Sequence, residues 1–185
     1  MNITAYGVYL TESEQLRSEA TIDFIVPLEL MSRWERCGLI ADFLSKYKSF
    51  SFMGQPKAEM LLSTIINELL ENAIKFSVDK NKMVNLSIKD FKHTVSIEAV
   101  NISDEEQVAK LKQYIHILKS ENTDVLFFKM LERGASQNIS YSGIGLLTLI
   151  KDYHANLGLK IVPKFEKDKF YEIYTKVVVP AESLK

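Results

Sequence analysis

Apolar residues recur along the chain at two different periods, which separates predicted helices from predicted strands. The strongest helical pattern spans residues 56–77, where Pro56 suits a first helical position and apolar residues follow at every third or fourth place. Gly38 predicts a break in another helical segment, 28–47, because glycine weakens a helix interior. The remaining helical patterns cover residues 104–118, 125–132 and 145–153.

Alternation of apolar and polar residues predicts two antiparallel hairpins and two shorter strands. Residues 133–142 are polar and contain Gly and Ser, so they predict a loop. Strands pair with neighbours in this pattern and do not alternate regularly with helices, which favours an α+β two-layer sandwich over a doubly wound sheet. The predicted strands are 83–90 with 94–101, 157–165 with 170–179, and the shorter 5–10 and 22–26.

Composition limits the function classes. The chain has 185 residues, 46% of them hydrophobic and 25% charged, which is ordinary globular usage and excludes a fully disordered protein. Its formal net charge of -1 gives no basic stripe, so we expect no nucleic-acid partner, although net charge leaves a local basic patch open.

Cysteine usage and apolar runs bear on the compartment. Cys37 is the sole cysteine and cannot form an internal disulfide, so we expect a buried thiol. The three histidines are far apart and lack a zinc-site spacing. The N-terminus lacks the pattern of a secretory signal, and no apolar stretch is long enough to cross a bilayer. These features predict a cytoplasmic protein with no membrane contact.

The helix at 56–77 carries the first candidate chemistry. Glu68 and Asn72 are four residues apart and therefore lie on one face, which Lys75 shares. An amide oxygen suits Mg²⁺, a carboxylate can accept a proton during phosphoryl transfer, and a lysine can meet phosphate charge. The alternative is a polar surface stripe on an ordinary amphipathic helix.

A glycine-containing turn carries the second candidate chemistry. Ser142, Gly143, Ile144, Gly145 and Leu146 stand where a loop runs into a helix. Glycines there allow a close approach of the backbone to a ligand, and the free N–H groups of a helix start favour an anion. The alternative is an ordinary tight connection in which Ser142 caps the helix.

Taken together and in this order, the two segments resemble the N-box and the G2 box of the GHKL ATPase superfamily, over about residues 56 to 180. That resemblance implies the Bergerat type of α+β sandwich, with ATP and Mg²⁺ as cofactors. It also implies that Glu68 is the general base, Asn72 the Mg²⁺ ligand and Lys75 a phosphate contact, with residues 142–146 cradling phosphates. The glutamate at position 68 resembles the residue found there in the ATPases and anti-sigma serine/threonine kinases of the superfamily. Histidine kinases usually have asparagine at this position.

The chain departs from the superfamily at the G1 box. Its usual Asp-x-Gly-x-Gly is replaced by Ala99-Val-Asn-Ile-Ser-Asp104, without either glycine. Asn101 aligns best with the aspartate that reads the adenine amino group, and its side-chain oxygen can still accept a hydrogen bond. Asp104 is an alternative that requires a shifted loop.

Residues 1–55 form an N-terminal extension expected to pack on the core domain, residues 56–185. The extension resembles one found in bacterial GHKL regulators of partner-switching systems, which work with STAS-domain anti-sigma antagonists and PP2C-type phosphatases. Its apolar residues either form a core helix pair or provide a partner-docking or homodimer surface. These residues are Leu28, Leu30, Trp34, Leu39, Phe43 and Leu44.

Three functions follow from the resemblance. The first is a serine/threonine kinase of an anti-sigma or partner-switching system that phosphorylates a STAS-type partner. The second is a non-catalytic GHKL-like module, a pseudokinase, that sequesters a regulatory partner; retention of Glu68 argues against it. The third is a slow ATPase clamp, for which the chain is short. No segment resembles the phosphoacceptor-histidine box, so a complete sensor histidine kinase is not expected.

Overall fold

The computed structural model describes residues 3–10, 18–31, 34–53, 55–78, 83–137, 144–165 and 170–185. In this part of the chain, six strands and five α-helices are joined by short 3-10 turns. The strands are β1 (Thr4–Gly7), β2 (Ala20–Pro27), β3 (Met83–Phe91), β4 (Thr94–Ser103), β5 (Asn156–Phe165) and β6 (Phe170–Pro180). The helices are α1 (Trp34–Ser49), α2 (Pro56–Lys75), α3 (Glu105–Ser120), α4 (Thr123–Gln137) and α5 (Ile144–Tyr153).

The strands form one antiparallel sheet in the order β1-β5-β6-β4-β3-β2. Both predicted hairpins are confirmed, as β3 with β4 and β5 with β6. The α+β sandwich is confirmed as well, since helices pack against this sheet. The two N-terminal strands, β1 and β2, take the outer positions on opposite edges.

The core lies between the helices and the inner face of the sheet. Alternate residues of the central strands are buried there, and the register sets Leu86 opposite Ala99 and Ile97 opposite Val177. Each fully buried aliphatic side chain contributes about 1.5–3 kcal/mol relative to an exposed one. Burial of this face therefore fixes which side of each strand the helices cover.

Helix α2 is the centre of the helical layer. Pro56 starts it as predicted, and eight of its residues are buried. Its C-terminal end is tied to the end of β4 by two hydrogen bonds: Ser103 Oγ donates to the Phe76 carbonyl at 2.8 Å, and the Val78 N–H donates to the Ile102 carbonyl at 3.3 Å. These bonds hold the last turn of α2 beside the last residues of β4.

Two boundary predictions were wrong. Helix α1 continues through Gly38 without a break, because the buried residues Cys37, Ala41 and Leu44 pack this helix into the core. That packing outweighs the cost of a mid-helix glycine, about 0.5–1 kcal/mol. The loop predicted for 133–142 also begins later, because α4 extends to Gln137 once its buried residues Leu126 and Met130 anchor it against α5.

The apolar residues of the N-terminal extension differ in burial. Leu28 and Leu44 are buried, whereas Leu39 and Phe43 are exposed; the side chains of Leu30 and Trp34 lie outside the described residues. Cys37 is fully buried, which confirms the predicted thiol. Among the helices in the described ranges, none has both the length and the apolar character needed to cross a bilayer.

Candidate functional site

Helix α2 meets the start of α5 at Glu68. The half-buried Glu68 side chain lies against Gly145, the second residue of α5, so closely that a Cβ at Gly145 would stand 1.8 Å from Oε2. A side chain at this position would have to displace the carboxylate, so glycine at 145 is what lets Glu68 take this place. The structure thus brings the two candidate segments of the sequence into direct contact.

The surroundings of Glu68 alter its acidity. Burial raises the pKa of the Glu68 carboxyl above its ordinary value of 4.5, and the neighbouring negative charge of Glu71 raises it further. Both effects disfavour the charged form of the carboxyl. A carboxylate shifted in this direction is a stronger base than an exposed one, which suits a group that accepts a proton near neutral pH.

A cavity of about 560 Å³ opens between the end of α2, the inner face of the sheet and helix α3. Its volume falls within the range of about 300–1,000 Å³ that is typical of small-molecule sites. Four residues predicted from the sequence, Asn72, Lys75, Asn101 and Leu146, line it together. The other lining residues are Phe76, Ser103, Gln107, Lys110, Leu111, Gln113, Tyr114, Ile117, Leu159, Ile173 and Thr175.

Two amide groups in this lining lack hydrogen-bond partners. The Nδ2 atoms of Asn72 and Asn101 are both buried and find no acceptor within the described part of the chain. An unsatisfied buried donor costs about 1–3 kcal/mol. Acceptor atoms on a bound molecule would satisfy both amides, so the lining is compatible with a polar ligand.

The charges around the cavity have one sign. Lys75 and Lys110 are cationic, the other polar side chains are neutral, and no acidic residue occurs among the described residues of the lining. The Lys110 ammonium lies 2.7 Å from the Glu106 carboxylate, and both side chains are largely exposed. An exposed pair of this kind is weak, so Lys110 is able to exchange it for an anionic ligand.

The floor and the α3 wall give the cavity its shape. Leu159 and Ile173 on the sheet and Leu111 and Ile117 on α3 supply apolar surface suited to a flat ring. Burial raises the pKa of Tyr114, so its hydroxyl stays protonated at neutral pH.

The structure distinguishes the two candidates for the G1 aspartate position, Asn101 and Asp104. Asn101 is buried and lines the cavity. Asp104 instead caps helix α3, where its Oδ1 accepts a hydrogen bond from the Gln107 N–H at 2.8 Å. This is a favoured use of aspartate at a helix start. The geometry therefore favours Asn101 as the group that faces a ligand.

The structure describes only part of the predicted glycine turn, residues 142–146. Ser142 and Gly143 lie outside the described residues, so the predicted phosphate cradle stays a prediction. Ile144 is half-buried at the start of α5, and Leu146 is buried between the core and the cavity. These positions place the first turn of α5 beside both Glu68 and the ligand cavity.

The donor atoms of the described residues do not form an all-protein metal site. Within the described ranges, no group of three or more His, Cys, Asp or Glu side chains is placed to hold a metal ion. A magnesium ion here would take the Asn72 Oδ1 from the protein and its other ligands from phosphate oxygens and water. Mg²⁺ binds few protein groups and keeps several waters beside phosphate oxygens, so one hard amide oxygen in this lining is compatible with the ion.

Comparison with known proteins identifies a similar fold. No family model matches the chain, and no curated protein matches it in sequence. A chain in the crystal structure of the SiaB–SiaC complex from Pseudomonas aeruginosa superimposes with a TM-score of 0.58 and 17% sequence identity. The match covers 85% of this chain and 89% of that one. The two chains therefore share an overall fold.

Proposed function

We propose that the protein is a cytoplasmic signalling regulator that binds Mg-ATP and phosphorylates a serine or threonine of a partner protein. The observation that carries the proposal is the cavity at the end of α2. Its lining joins the unpaired amides of Asn72 and Asn101 to two lysines, and no described residue there is acidic. A ligand that combines acceptor atoms, negative charge and a flat ring matches all these features.

Each part of the nucleotide has a counterpart in this site. The Asn101 amide both accepts and donates, so it can pair with a base edge that offers a donor beside an acceptor. The apolar floor at Leu159 and Ile173 supports the ring, and Lys75 meets the phosphates. The amide oxygen of Asn72 would hold magnesium, which would supply positive charge to offset that of the phosphates.

Glu68 is the proposed base for transfer. Its carboxylate takes the proton from the partner's hydroxyl while that oxygen bonds to the terminal phosphorus. The bond from phosphorus to the bridging oxygen breaks, and ADP leaves. Glu68 lies against Gly145, one of the residues proposed for the phosphate cradle, and this proximity supports the role of Glu68 as the base.

The partner is proposed by analogy. The chain with a similar fold comes from a complex of two proteins, which supports a protein partner here. The GHKL resemblance of the sequence supports a STAS-type anti-sigma antagonist as the substrate, with a PP2C-type phosphatase in the same pathway.

A specific observation favours a second candidate, the non-catalytic binding module. The Glu68 carboxylate lies against Gly145 and is not part of the cavity lining. The glycines expected after β4 are also missing. A domain with these features would bind nucleotide and partner without transferring phosphate.

Titration calorimetry with ATP and ADP, with and without magnesium, tests the binding step. We expect magnesium-dependent binding to the wild type, and its loss in Asn72→Ala because the metal ligand is gone. Glu68→Gln should bind ATP as the wild type does but lose phosphate transfer to the partner. Asn67→Ala is the matched control, because Asn67 lies on the same helix and bonds Glu71 at 2.5 Å, outside the cavity lining.

The outcomes separate the candidates. Absence of heat with millimolar nucleotide would contradict both versions of the nucleotide site. Binding by the wild type without transfer to any STAS-type partner would favour the binding module. Equal loss of binding in Asn72→Ala and Glu68→Gln would contradict their separate roles.

A further inference from the structure

The amide and hydroxyl groups around the cavity share one chemical property, since each of them can both donate and accept a hydrogen bond. The donor-only groups are the ammonium groups of Lys75 and Lys110, and no acceptor-only carboxylate occurs among the described residues of the lining. The amides and aliphatic hydroxyls belong to Asn72, Asn101, Ser103, Gln107, Gln113 and Thr175.

Such a lining selects the charge of a ligand but not the hydrogen-bond pattern of a base. The lysines favour phosphates, whereas a group that both donates and accepts can meet either kind of atom. We propose that the cavity takes purine nucleoside triphosphates with either adenine or guanine as the base, and that Asn101 is the residue responsible for this tolerance. The proposal rests on the nucleotide site proposed above and extends its substrate from ATP to both purine nucleotides.

Asn101 is the best placed of these groups to meet a base. It is 4% exposed on the inner face of the sheet, and the register sets it opposite Ile173 of the apolar floor. A ring that rests on Ile173 would therefore bring its edge near the Asn101 amide. The Ser103 hydroxyl is already used, because it donates to the Phe76 carbonyl, and Gln113 is exposed.

The amide of Asn101 can take two orientations, although its place on β4 is fixed. Its Nδ2 atom is buried and finds no acceptor within the described part of the chain, so turning the amide over breaks no hydrogen bond of this nitrogen. In one orientation, Oδ1 accepts from the amino group of adenine and Nδ2 donates to the adjacent ring nitrogen. In the other, Nδ2 donates to the carbonyl of guanine and Oδ1 accepts from the adjacent ring N–H. Each base thus makes two hydrogen bonds with the same residue.

A carboxylate at position 101 would discriminate between the two bases. Its oxygens only accept, so they match the two adjacent N–H donors of guanine but set one oxygen against a ring-nitrogen lone pair of adenine. A site built for one hydrogen-bond pattern rejects a ligand that lacks it, because buried groups are then left unpaired. Asn101→Asp should therefore convert tolerance into a preference for guanine.

Calorimetric titration with Mg-ATP and with Mg-GTP measures the tolerance as the ratio of two dissociation constants. We expect the wild type to bind both nucleotides within about fivefold of each other, because each base forms the same number of hydrogen bonds. In Asn101→Asp the ratio should shift toward GTP by about tenfold or more, because adenine then faces a mismatched buried group. Asn85→Asp is the matched control, since Asn85 on β3 is exposed and lies outside the lining, so its ratio should equal that of the wild type.

A second variant, Asn101→Ala, keeps the proposal testable if the aspartate variant fails to fold, which thermal melting would show. It removes the base contact, so both nucleotides should bind more weakly by a similar factor and their ratio should stay near that of the wild type. A wild type that binds ATP but binds GTP about thirtyfold more weakly or worse would overturn the tolerance and leave the ATP site standing. An unchanged ratio in a folded Asn101→Asp would overturn the role of Asn101. A wild type that binds neither nucleotide would overturn both the tolerance and the proposed function.

Discussion

At the scale of single residues, Asn72 and Asn101 are the centre of the proposed ligand site. Both are held rigidly, one on the last turn of α2 and the other near the end of β4, and both keep a buried amide nitrogen unpaired in the described structure. Such groups destabilise the empty protein by about 1–3 kcal/mol each. Satisfying them on binding adds to affinity, and the two positions fix the orientation of the bound molecule.

The raised pKa of Glu68 predicts a pH-dependent change in stability. The neutral form of the buried carboxyl is the more stable one in the folded state, so this residue weakens the fold as pH rises from 4.5 through its raised pKa. We expect Glu68→Gln to have a higher melting temperature than the wild type at pH 7. The difference should vanish near pH 4, where Glu68 is neutral in both folded and unfolded chains.

Thermal melting of both proteins across this pH range measures the effect. Glu35→Gln is the control, since Glu35 on α1 is exposed and its substitution should leave the melting temperature nearly unchanged. A melting difference between wild type and Glu68→Gln that stays constant from pH 4 to pH 7 would contradict the assignment. Phosphate transfer should follow the opposite trend and rise with pH, because the proposed base must be ionised.

Sequence spacing predicted part of the cavity. Asn72 and Lys75 in the lining, and Glu68 outside it, followed from helical periodicity, whereas Asn101 was implied by the resemblance to the G1 box. The wall formed by Gln107, Lys110, Leu111, Gln113, Tyr114 and Ile117 was missed. These residues form no motif, and only the amphipathic pattern of α3 indicated that one of its faces would be covered. The sequence does not show that this face of α3 borders the cavity, because that depends on tertiary packing.

At the scale of elements, helix α1 shows why a pattern of apolar residues does not by itself define a core. Apolar residues occupy two of its faces, a buried one around Ala41 and Leu44 and an exposed one along Leu39, Phe43 and Tyr47. Their periodicity is the same, so the sequence predicted a helix correctly without deciding which face is buried. The packing partner, α2, selects the face with the smaller residues because they allow close approach of the two helices.

Replacing two glycines by alanine should change the free energy of unfolding in opposite directions. Gly7 ends β1 with a φ of 63°, and a Cβ there would lie 1.8 Å from the Leu157 carbonyl oxygen. Gly7→Ala should therefore lower the free energy of unfolding by about 1–3 kcal/mol or more, through left-handed backbone strain and the clash. Gly38, within α1, has no atom within 4 Å of an added Cβ. Gly38→Ala should raise the free energy of unfolding by about 0.5–1 kcal/mol.

Urea denaturation of the two variants gives both values. The pair also acts as its own control, because the chemical change is identical and only the backbone setting differs. A stabilising Gly7→Ala would contradict the described junction between β1 and the following 3-10 turn.

At the scale of the whole molecule, the sheet joins distant parts of the sequence. The hairpins were predictable because each lies within one short stretch and has alternating residues. The positions of β1 and β2 at opposite edges were not, because their partners β5 and β3 are far along the chain and either edge offers similar backbone groups. Residues 1–55 thus contribute strands to the same sheet as the rest of the protein.

The central position of α2 predicts how the molecule responds to a cavity in its core. Ile65 is fully buried where α2 packs in the main core cluster, so Ile65→Ala should cost about 2–5 kcal/mol of unfolding free energy. Met60 lies on the same helix and is largely exposed, so Met60→Ala should change stability by less than about 0.5 kcal/mol. Urea titration followed by circular dichroism and by aromatic fluorescence measures both.

The two signals should change together if helices and sheet unfold as one cooperative unit. A helical signal lost before the aromatic signal would contradict a single core.

The order of the strands has a consequence for biosynthesis. Thr4 of β1 pairs with Ile161 of β5, so β1 lacks its partner until β5 has been synthesised. Pairing across such a sequence separation is slow, because the entropy of closing the long loop is lost before the contacts form. We expect α1 and α2 to associate during translation. The pairing of all six strands should be completed only after the β5–β6 hairpin has been synthesised.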